Sequence, residues 1–181
     1  MSIADEIFAI FQHRGGEAYF GESVSMTQHG LQAAHFAQTS AARPALIVAA
    51  LLHDIGHLVD HDVPGNIADW IVDAHHEDIG GRWLARRFRP EVSEPVRLHV
   101  PAKRYLLATD AAYFAKLSPA SVLTLKLQGG PMAAHEVSKF ETEPFHRDAV
   151  RVRQWDDQGK VAGLKTPALG DFRTLIEALA I

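Results

Sequence analysis

The feature that most limits the possible folds of this chain is an apolar run, Ala45 to Leu52, that leads directly into His53 and Asp54. The run is typical of a buried helix, and it places two good metal ligands at the end of that helix. Because removing a charge from water is costly, an ionised Asp54 in this position needs a cation or an arginine nearby. The alternative is an ordinary buried hydrogen-bonded His–Asp pair, since so short a motif also arises by chance.

The rest of the chain also has helical periodicity, with apolar positions recurring at intervals of three and four residues. We therefore predict an all-α fold, and the length with no evident linker predicts a single domain over residues 1–181. Ser25 and the Ser118–Pro119 pair are typical helix starts. The predicted helices cover residues 3–13, 26–40, 44–52, 67 or 69 to about 90, 93 onward through 103 with a kink or break at Pro101, 120–127, 145–157 and 171–179.

Composition excludes several classes of partner. With 22 acidic and 18 basic residues the formal net charge is −4, so neither nucleic acid nor an anionic membrane is an expected partner. The amino terminus does not resemble a signal peptide, and no apolar run approaches the roughly 20 residues of a membrane span. The chain has no cysteine, which fits a reducing cytoplasm and restricts any metal site to histidines and carboxylates.

Histidine is unusually frequent, with eleven in the chain, and several fall on predicted helices. Neutral imidazole suits iron, zinc and manganese, and a carboxylate can bridge two ions. A single ion takes three or four such ligands, so six candidates indicate two ions with positions left open for substrate or water. The candidates are His29, His53, Asp54, His76, His99 and Asp156.

The order and spacing of these residues resemble the HD-domain superfamily over nearly the whole chain. More narrowly, the chain is similar to the small HD-domain mixed-valence diiron oxygenases that cleave 1-hydroxyphosphonates. Generic HD phosphohydrolases do not usually carry the Lys103-Arg104-Tyr105 run or the turn at 128–132, so these two motifs are the most specific. The resembling stretches are residues 19–22, 28–29, 51–57, 76–80, 99–106, 124–132 and 153–156.

The resemblance implies a cofactor of two iron ions, Fe(II) and Fe(III). Adjacent helical residues point about 100° apart, so only one of His75 and His76 faces the metals. We choose His76 because the family places its ligand four residues before the equivalent of Gly80. The remaining histidines, His13, His35, His61, His135 and His146, are interpreted as structural or surface residues. One iron is expected to bind His29, His53, Asp54 and Asp156, and the other His76, His99 and the bridging Asp54.

Two cations indicate an anion pocket beside these metals. Lys103 lies one helical turn after His99, and Arg153 one turn before Asp156, so both are predicted on the metal-facing side of their helices. They would bind a multiply charged anion, the alternative being ion pairs with surface carboxylates. The side chains that could complete a phosphonate cage are His57, Ser121, Thr124 and Gln128. For the two hydroxyl residues, ordinary helix-surface polarity is the alternative.

Tyr19 and Glu22 lie in a loop before the first ligand helix. The resemblance implies that they form a catalytic gate, in which the carboxylate occupies a metal position until the substrate's amino group draws it away. Without the resemblance, a loop tyrosine and glutamate would be interpreted as solvent-exposed.

The implied reaction is oxidation at C1 by dioxygen followed by carbon–phosphorus cleavage, giving phosphate and a carboxylic acid. The acid is glycine from a 2-amino-1-hydroxyethylphosphonate and glycine betaine from the 2-trimethylamino analogue. The expected partners are a small anionic organophosphonate and dioxygen, and a monomer is favoured while the oligomeric state stays open. Two alternatives remain: a metal-dependent HD phosphohydrolase of a nucleotide or phosphate monoester, and a non-catalytic scaffold or sensor on a degraded HD fold.

Overall fold

The computed structural model describes residues 1–19, 22–59 and 75–181. In these ranges the chain forms eleven α-helices, two 3-10 helices and two isolated β-bridges, which confirms the predicted all-α fold. None of the helices in these ranges is long and apolar enough to cross a membrane. The helices are α1 (Ile3–Arg14), α2 (Met26–Thr39), α3 (Pro44–Leu52), α4 (Ile55–Val59), α5 (His76–Ala85), α6 (Pro90–Arg97), α7 (His99–Thr109), α8 (Pro119–Leu127), α9 (Ala134–Glu141), α10 (His146–Gln158) and α11 (Arg173–Leu179).

Helix starts follow the serine and proline signals in the sequence. The Ser25 side chain accepts a hydrogen bond from the backbone N–H of Gln28, whose own side chain accepts from the Ser25 N–H. This reciprocal capping box fixes the start of α2, three residues before His29. Ser118 caps α8 in front of Pro119, and Pro44 occupies the first turn of α3. The predicted starts of these three helices are therefore confirmed.

Helix α3 lies at the centre of the fold. All of its residues after Pro44 are buried, and it packs against α2, α6, α10 and α11. The approach of α2 is especially close, because a Cβ atom on Gly30 would lie 2.7 Å from the carbonyl oxygen of Leu51. Since the end of α3 lies inside this core, the next two residues, His53 and Asp54, are buried as well.

The helix predicted to lead up to Pro90 differs from the structure. Helix α5 begins only at His76, because His75 adopts a left-handed backbone conformation with φ of 51° and ψ of 45°. Pro90 does not end this helix but occupies the first turn of α6, where its missing N–H removes no hydrogen bond. The predicted start of this helix, at residue 67 or 69, lies outside the described residues.

The break near His99 also lies earlier than predicted. Helix α6 contains Pro95 in its interior and ends two residues later, at Arg97. Leu98 separates it from α7, which begins at His99. Pro101 falls in the first turn of α7, where a backbone N–H has no acceptor within the helix, so it causes no break. His99 therefore stands at a helix start, directly beside the core.

Helices α8, α10 and α11 match their predicted ranges within two residues. Helix α9 was not predicted. Phe140 is its one buried side chain, so its sequence lacks the apolar stripe that reveals an amphipathic helix. A second small core surrounds Phe140 and joins α9 to α7 and α10.

Candidate metal centre

Asp54 stands between two pairs of histidines. Its Oδ2 atom lies 3.5 Å from Nε2 of His29 and 3.3 Å from Nε2 of His53. Its Oδ1 atom lies 3.3 Å from Nε2 of His76 and 3.6 Å from Nε2 of His99. The carboxylate therefore presents one oxygen to each pair, which is the geometry of a bridging ligand.

The first pair consists of two ring nitrogens that face each other. Nε2 of His29 lies 2.9 Å from Nε2 of His53. On the other side of each ring, Nδ1 lies 2.8 Å from a backbone carbonyl oxygen, which belongs to Gly159 for His29 and to Ala50 for His53. A carbonyl oxygen can only accept, so each Nδ1 carries the proton and, in a neutral ring, Nε2 carries a lone pair. Two lone pairs this close repel each other unless a proton or metal ion lies between them.

The second pair repeats the arrangement. Nε2 of His76 lies 3.2 Å from Nε2 of His99, and Nδ1 of His99 donates to the carbonyl of Val96 at 2.7 Å. Nδ1 of His76 lies 3.5 Å from the carboxylate of Glu77. Backbone and carboxylate partners of this kind commonly orient metal-bound histidines.

Asp156 completes the first cluster from α10. Its Oδ1 atom lies 3.3 Å from Nε2 of His29 and 3.8 Å from Nε2 of His53. Asp156 Oδ1 and Asp54 Oδ2 are buried and have no hydrogen-bond partner among the described residues. A buried carboxylate oxygen without a donor is costly, and a cation would satisfy both atoms.

The electrostatics of the cluster also favour a cation. Burial lowers the pKa of His53, but Asp54 and Asp156 outweigh this effect and raise it to about 10. Burial raises the pKa of Asp54, yet His53 and its neighbours hold it well below the usual range. The carboxylates thus remain ionised and draw positive charge to the ring nitrogens. The nitrogen and oxygen donors present fit ions such as iron, zinc or manganese.

The side chains of His75 and His76 differ in exposure and in direction. The His76 side chain is 10% exposed and points at the Asp54 carboxylate, whereas the His75 side chain is 72% exposed. The left-handed conformation of His75 starts α5 at the next residue and separates the directions of the two side chains. All six predicted ligand residues therefore lie in one buried cluster, and the His75 side chain lies outside it.

Lys103 is the most unusual charged residue near the centre. It is 1% exposed, and its ammonium group donates to Oγ1 of Thr124 at 2.8 Å and to Oε1 of Gln128 at 3.0 Å. Both acceptors are neutral, and within the described ranges Lys103 forms no ion pair. Burial, together with the nearby Arg153 guanidinium, lowers the pKa of Lys103 to about 7. A buried ammonium group that has no carboxylate partner is suited to binding an anion.

Arg153, in contrast, is held by carboxylates. Its Nη1 lies 2.6 Å from Oδ2 of Asp156, its Nη2 pairs with Asp157, and its Nε donates to the hydroxyl of Tyr113 at 3.1 Å. Burial opposes its charge, but these two aspartates hold its pKa well above the ordinary value. Arg153 therefore orients the Asp156 carboxylate.

Other predicted site residues lie near these groups or in the turn before α2. The Tyr19 ring stacks on His29 with centroids 3.8 Å apart, and burial together with the Asp54 carboxylate raises the pKa of Tyr19 well above its usual value. The Glu22 N–H donates to the Tyr19 carbonyl at 2.7 Å, and Glu22 Oε1 is buried without a hydrogen-bond partner in the described part of the chain. His57 stacks on His76 with centroids 3.9 Å apart.

Three further residues at this site were not predicted, namely Tyr113, Asp157 and Lys160. Asp157 and Lys160 follow Asp156 at short helical spacings, so proximity to a predicted ligand was the available signal. Nothing in the sequence near Tyr113 indicates its contact with Arg153. These residues add charge and hydrogen bonds on the α10 side of the site.

The comparisons with known proteins agree with this architecture. Residues 26–128 match the HD-domain family. The chain is 46% identical to hydroxymethylphosphonate dioxygenase from Gimesia maris, over 95% of this chain and 85% of that protein. It is 42% identical to the glycine-betaine-forming dioxygenase of 1-hydroxy-2-(trimethylamino)ethylphosphonate from Leisingera caerulea, over 98% of this chain and 90% of that protein. It is also 32% identical to the uncharacterized protein L432 of Acanthamoeba polyphaga mimivirus, over 94% and 78% of the two chains. The chain therefore belongs to the HD-domain phosphonate dioxygenases, a family of oxidoreductases.

Proposed function

We propose that this protein uses dioxygen to cleave the carbon–phosphorus bond of a small 1-hydroxyphosphonate. The observation that carries the proposal is the position of Asp54, whose two oxygens face separate histidine pairs near the buried cation Lys103. One hydroxyphosphonate and one dioxygen balance one carboxylic acid and one phosphate. Both relatives with assigned activities bear the names of phosphonate dioxygenases.

The proposed cofactor is a pair of iron ions bridged by Asp54. The donor set of imidazoles and carboxylates suits iron, and bound iron would supply the redox chemistry with dioxygen. The orphaned oxygens of Asp54 and Asp156 and the facing Nε2 atoms support two ion positions. We assign His29, His53, Asp54 and Asp156 to one iron, and His76, His99 and Asp54 to the other.

Lys103 is proposed to bind the phosphonate group. Its ammonium already holds the Thr124 hydroxyl and the Gln128 amide, so these three side chains form one polar wall. An anion arriving at this wall would supply the negative charge that Lys103 lacks among the described residues. Arg153, which is paired with Asp156 and Asp157, is proposed to add positive potential. The proposed pocket also includes His57 and Ser121.

The substituent on the substrate is proposed to be recognised by Glu22 and Tyr19. A buried carboxylate oxygen without a donor, as in Glu22, suits a cationic group on the substrate. This favours 2-amino- or 2-trimethylamino-1-hydroxyethylphosphonate, which would give glycine or glycine betaine. Hydroxymethylphosphonate, named for one relative, lacks this cationic group and would give formate.

The cellular setting is part of the same proposal. We take the chain to be a single HD domain, since the main hydrophobic core joins residues from Ala4 in α1 to Ile176 in α11. A monomer is part of the same proposal. The cysteine-free sequence supports a location in the reducing cytoplasm.

The decisive experiment loads the protein with ferrous iron without oxygen and then adds oxygen with each of the three hydroxyphosphonates. We expect oxygen uptake, phosphate and the matching acid in equal amounts. Zinc-loaded protein is the matched control and should consume no oxygen. Phosphate released from phosphate monoesters without oxygen, and no oxygen uptake with any phosphonate, would support the phosphohydrolase alternative instead.

A further inference from the structure

Lys160 lies just beyond α10, at the edge of both the metal centre and the anion pocket. Its ammonium donates to Oγ of Ser121 at 3.0 Å and lies 3.9 Å from Oδ1 of Asp156 and from Oδ1 of Asp157. The Lys160 side chain is 10% exposed. A lysine this deeply buried at the end of a helix is uncommon, because its charge must be satisfied inside the protein.

The contact with Ser121 determines where that hydroxyl can donate. An ammonium group has only donors, so Ser121 Oγ accepts from Lys160. Ser121 Oγ also accepts from the Ser118 hydroxyl at 3.3 Å. With both lone pairs used, the proton of Ser121 is left to donate to a third group. A phosphonate oxygen in the proposed pocket is an acceptor of the right kind.

The backbone around Lys160 is fixed to α2, the helix that carries His29. The carbonyl of Gly159 accepts from Nδ1 of His29 at 2.8 Å. The buried Gln32 side chain accepts from the N–H of Val161 at 2.9 Å and donates to its carbonyl at 2.7 Å. The residues on both sides of Lys160 are therefore anchored, which gives its ammonium group a defined position.

Lys160 also acts electrostatically on the pocket. Its charge is among the causes that lower the pKa of Lys103, after burial and Arg153. The ammonium groups of Lys160 and Lys103 therefore interact electrostatically. Asp156 and Asp157 offset part of this charge, and their pairing with Arg153 leaves the pocket attractive to an anion.

We propose that Lys160 is a positioning residue for the phosphonate group, holding the Ser121 hydroxyl as a donor to the anion and adding positive charge to that of Lys103. The role rests on the proposed function, because it concerns the same anion. It predicts that Lys160 and Ser121 act as one unit. Removing either should then weaken anion binding, and removing both should cost little more than removing Lys160 alone.

The test measures binding of inorganic phosphate to the iron-loaded protein without oxygen, by calorimetry. Lys160→Met should raise the dissociation constant about tenfold or more, as expected for a lost charged hydrogen bond, and leave the iron content unchanged. Lys160→Arg should restore most of the affinity, and Lys165→Met, which changes an exposed lysine nearby, should have no effect. Ser121→Ala combined with Lys160→Met should show strongly non-additive losses.

Phosphate binding by Lys160→Met equal to that of Lys165→Met would overturn the inference, as would additive losses in the double variant or no phosphate binding by the unmodified protein. These outcomes are distinct from failure of the proposed function. A protein that binds phosphate through Lys160 but consumes no oxygen with hydroxyphosphonates would retain the anion site and lose the dioxygenase assignment. A protein that cleaves hydroxyphosphonates without any contribution from Lys160 would keep the dioxygenase assignment and lose the proposed role of Lys160.

Discussion

Gly56 and His76 pack backbone against backbone, with no room for a side chain between them. A Cβ atom on Gly56 would lie 1.9 Å from the carbonyl oxygen of His76 and 2.9 Å from the backbone nitrogen of Gly80. This contact joins α4 to the first turn of α5, two residues after Asp54 in the chain. The position of His76 relative to Asp54 therefore depends on the absence of a side chain at residue 56.

Gly56→Ala should displace the start of α5 and disturb the second histidine pair. The obstructing atoms belong to the backbone and cannot rotate away, so we expect a loss of stability of about 2 kcal/mol. Iron bound through His76 and His99 should be lost before iron bound through His29 and His53. Thermal unfolding and metal analysis test this, with Gly16→Ala as control because nothing lies within 4 Å of a Cβ there. Equal stability and iron content in the two variants would contradict the prediction.

His75 and His76 offer a matched pair of substitutions at neighbouring positions. His76→Ala removes a buried nitrogen 3.3 Å from Asp54, so the protein should lose the second iron. His75→Ala removes a largely exposed ring and should retain the iron content of the unmodified protein. Metal analysis after reconstitution distinguishes them. Loss of iron from His75→Ala alone would show that the wrong histidine has been assigned.

The main lines of the fold and of the candidate site could be predicted from the sequence. The apolar run before His53 predicts a buried helix, and burial at its end is what gives Asp54 its need for a cation. The six donors were proposed as one set from their residue types and positions on predicted helices, but their division between two irons came from the family resemblance, since spacing alone does not show which helices meet. The structure brings His29 and His99, 70 residues apart in sequence, to the two sides of Asp54.

Other features could not be predicted because they depend on a single backbone angle or a distant contact. The start of α5 follows from the left-handed conformation of His75, a non-glycine residue for which no sequence signal existed. Lys160 reaches Ser121 across 39 residues, and Arg153 reaches Tyr113 across 40. These contacts join segments that are distant in sequence, and α10 reaches them because it packs beside α7.

Lys103 should make anion binding depend on pH. Its pKa is lowered from 10.5 to about 7 in the free protein, so above that pH the amine is mostly neutral. A bound dianion favours the charged form and raises the pKa again, so binding takes up a proton and weakens as the pH rises above about 7. Calorimetry with phosphate between about pH 8 and 9, in buffers of different ionisation enthalpy, measures this uptake. Lys103→Met should abolish it, and uptake that persists in this variant would assign the proton to another group.

Glu22 should discriminate between substrates with and without a cationic substituent. Glu22→Gln removes the negative charge, so KM for 2-amino-1-hydroxyethylphosphonate should rise about tenfold, as for a lost charged hydrogen bond. KM for hydroxymethylphosphonate, which has no ammonium group, should change little. Steady-state kinetics with both substrates provide the comparison. An equal effect on the two would show that Glu22 does not recognise the substituent.

The central claim is that Asp54 bridges two metal ions, and the iron content of Asp54→Ala tests it most directly. The unmodified protein, loaded with ferrous iron without oxygen and desalted, should retain about two irons per chain, the number that the two histidine pairs support. Asp148→Ala serves as the control, because it removes a carboxylate that pairs with Arg43, 105 residues earlier in the chain. This variant should retain the same amount of iron as the unmodified protein. Asp54→Ala should lose both irons, because each histidine pair loses its shared oxygen ligand. Retention of two irons by Asp54→Ala would contradict the bridged centre.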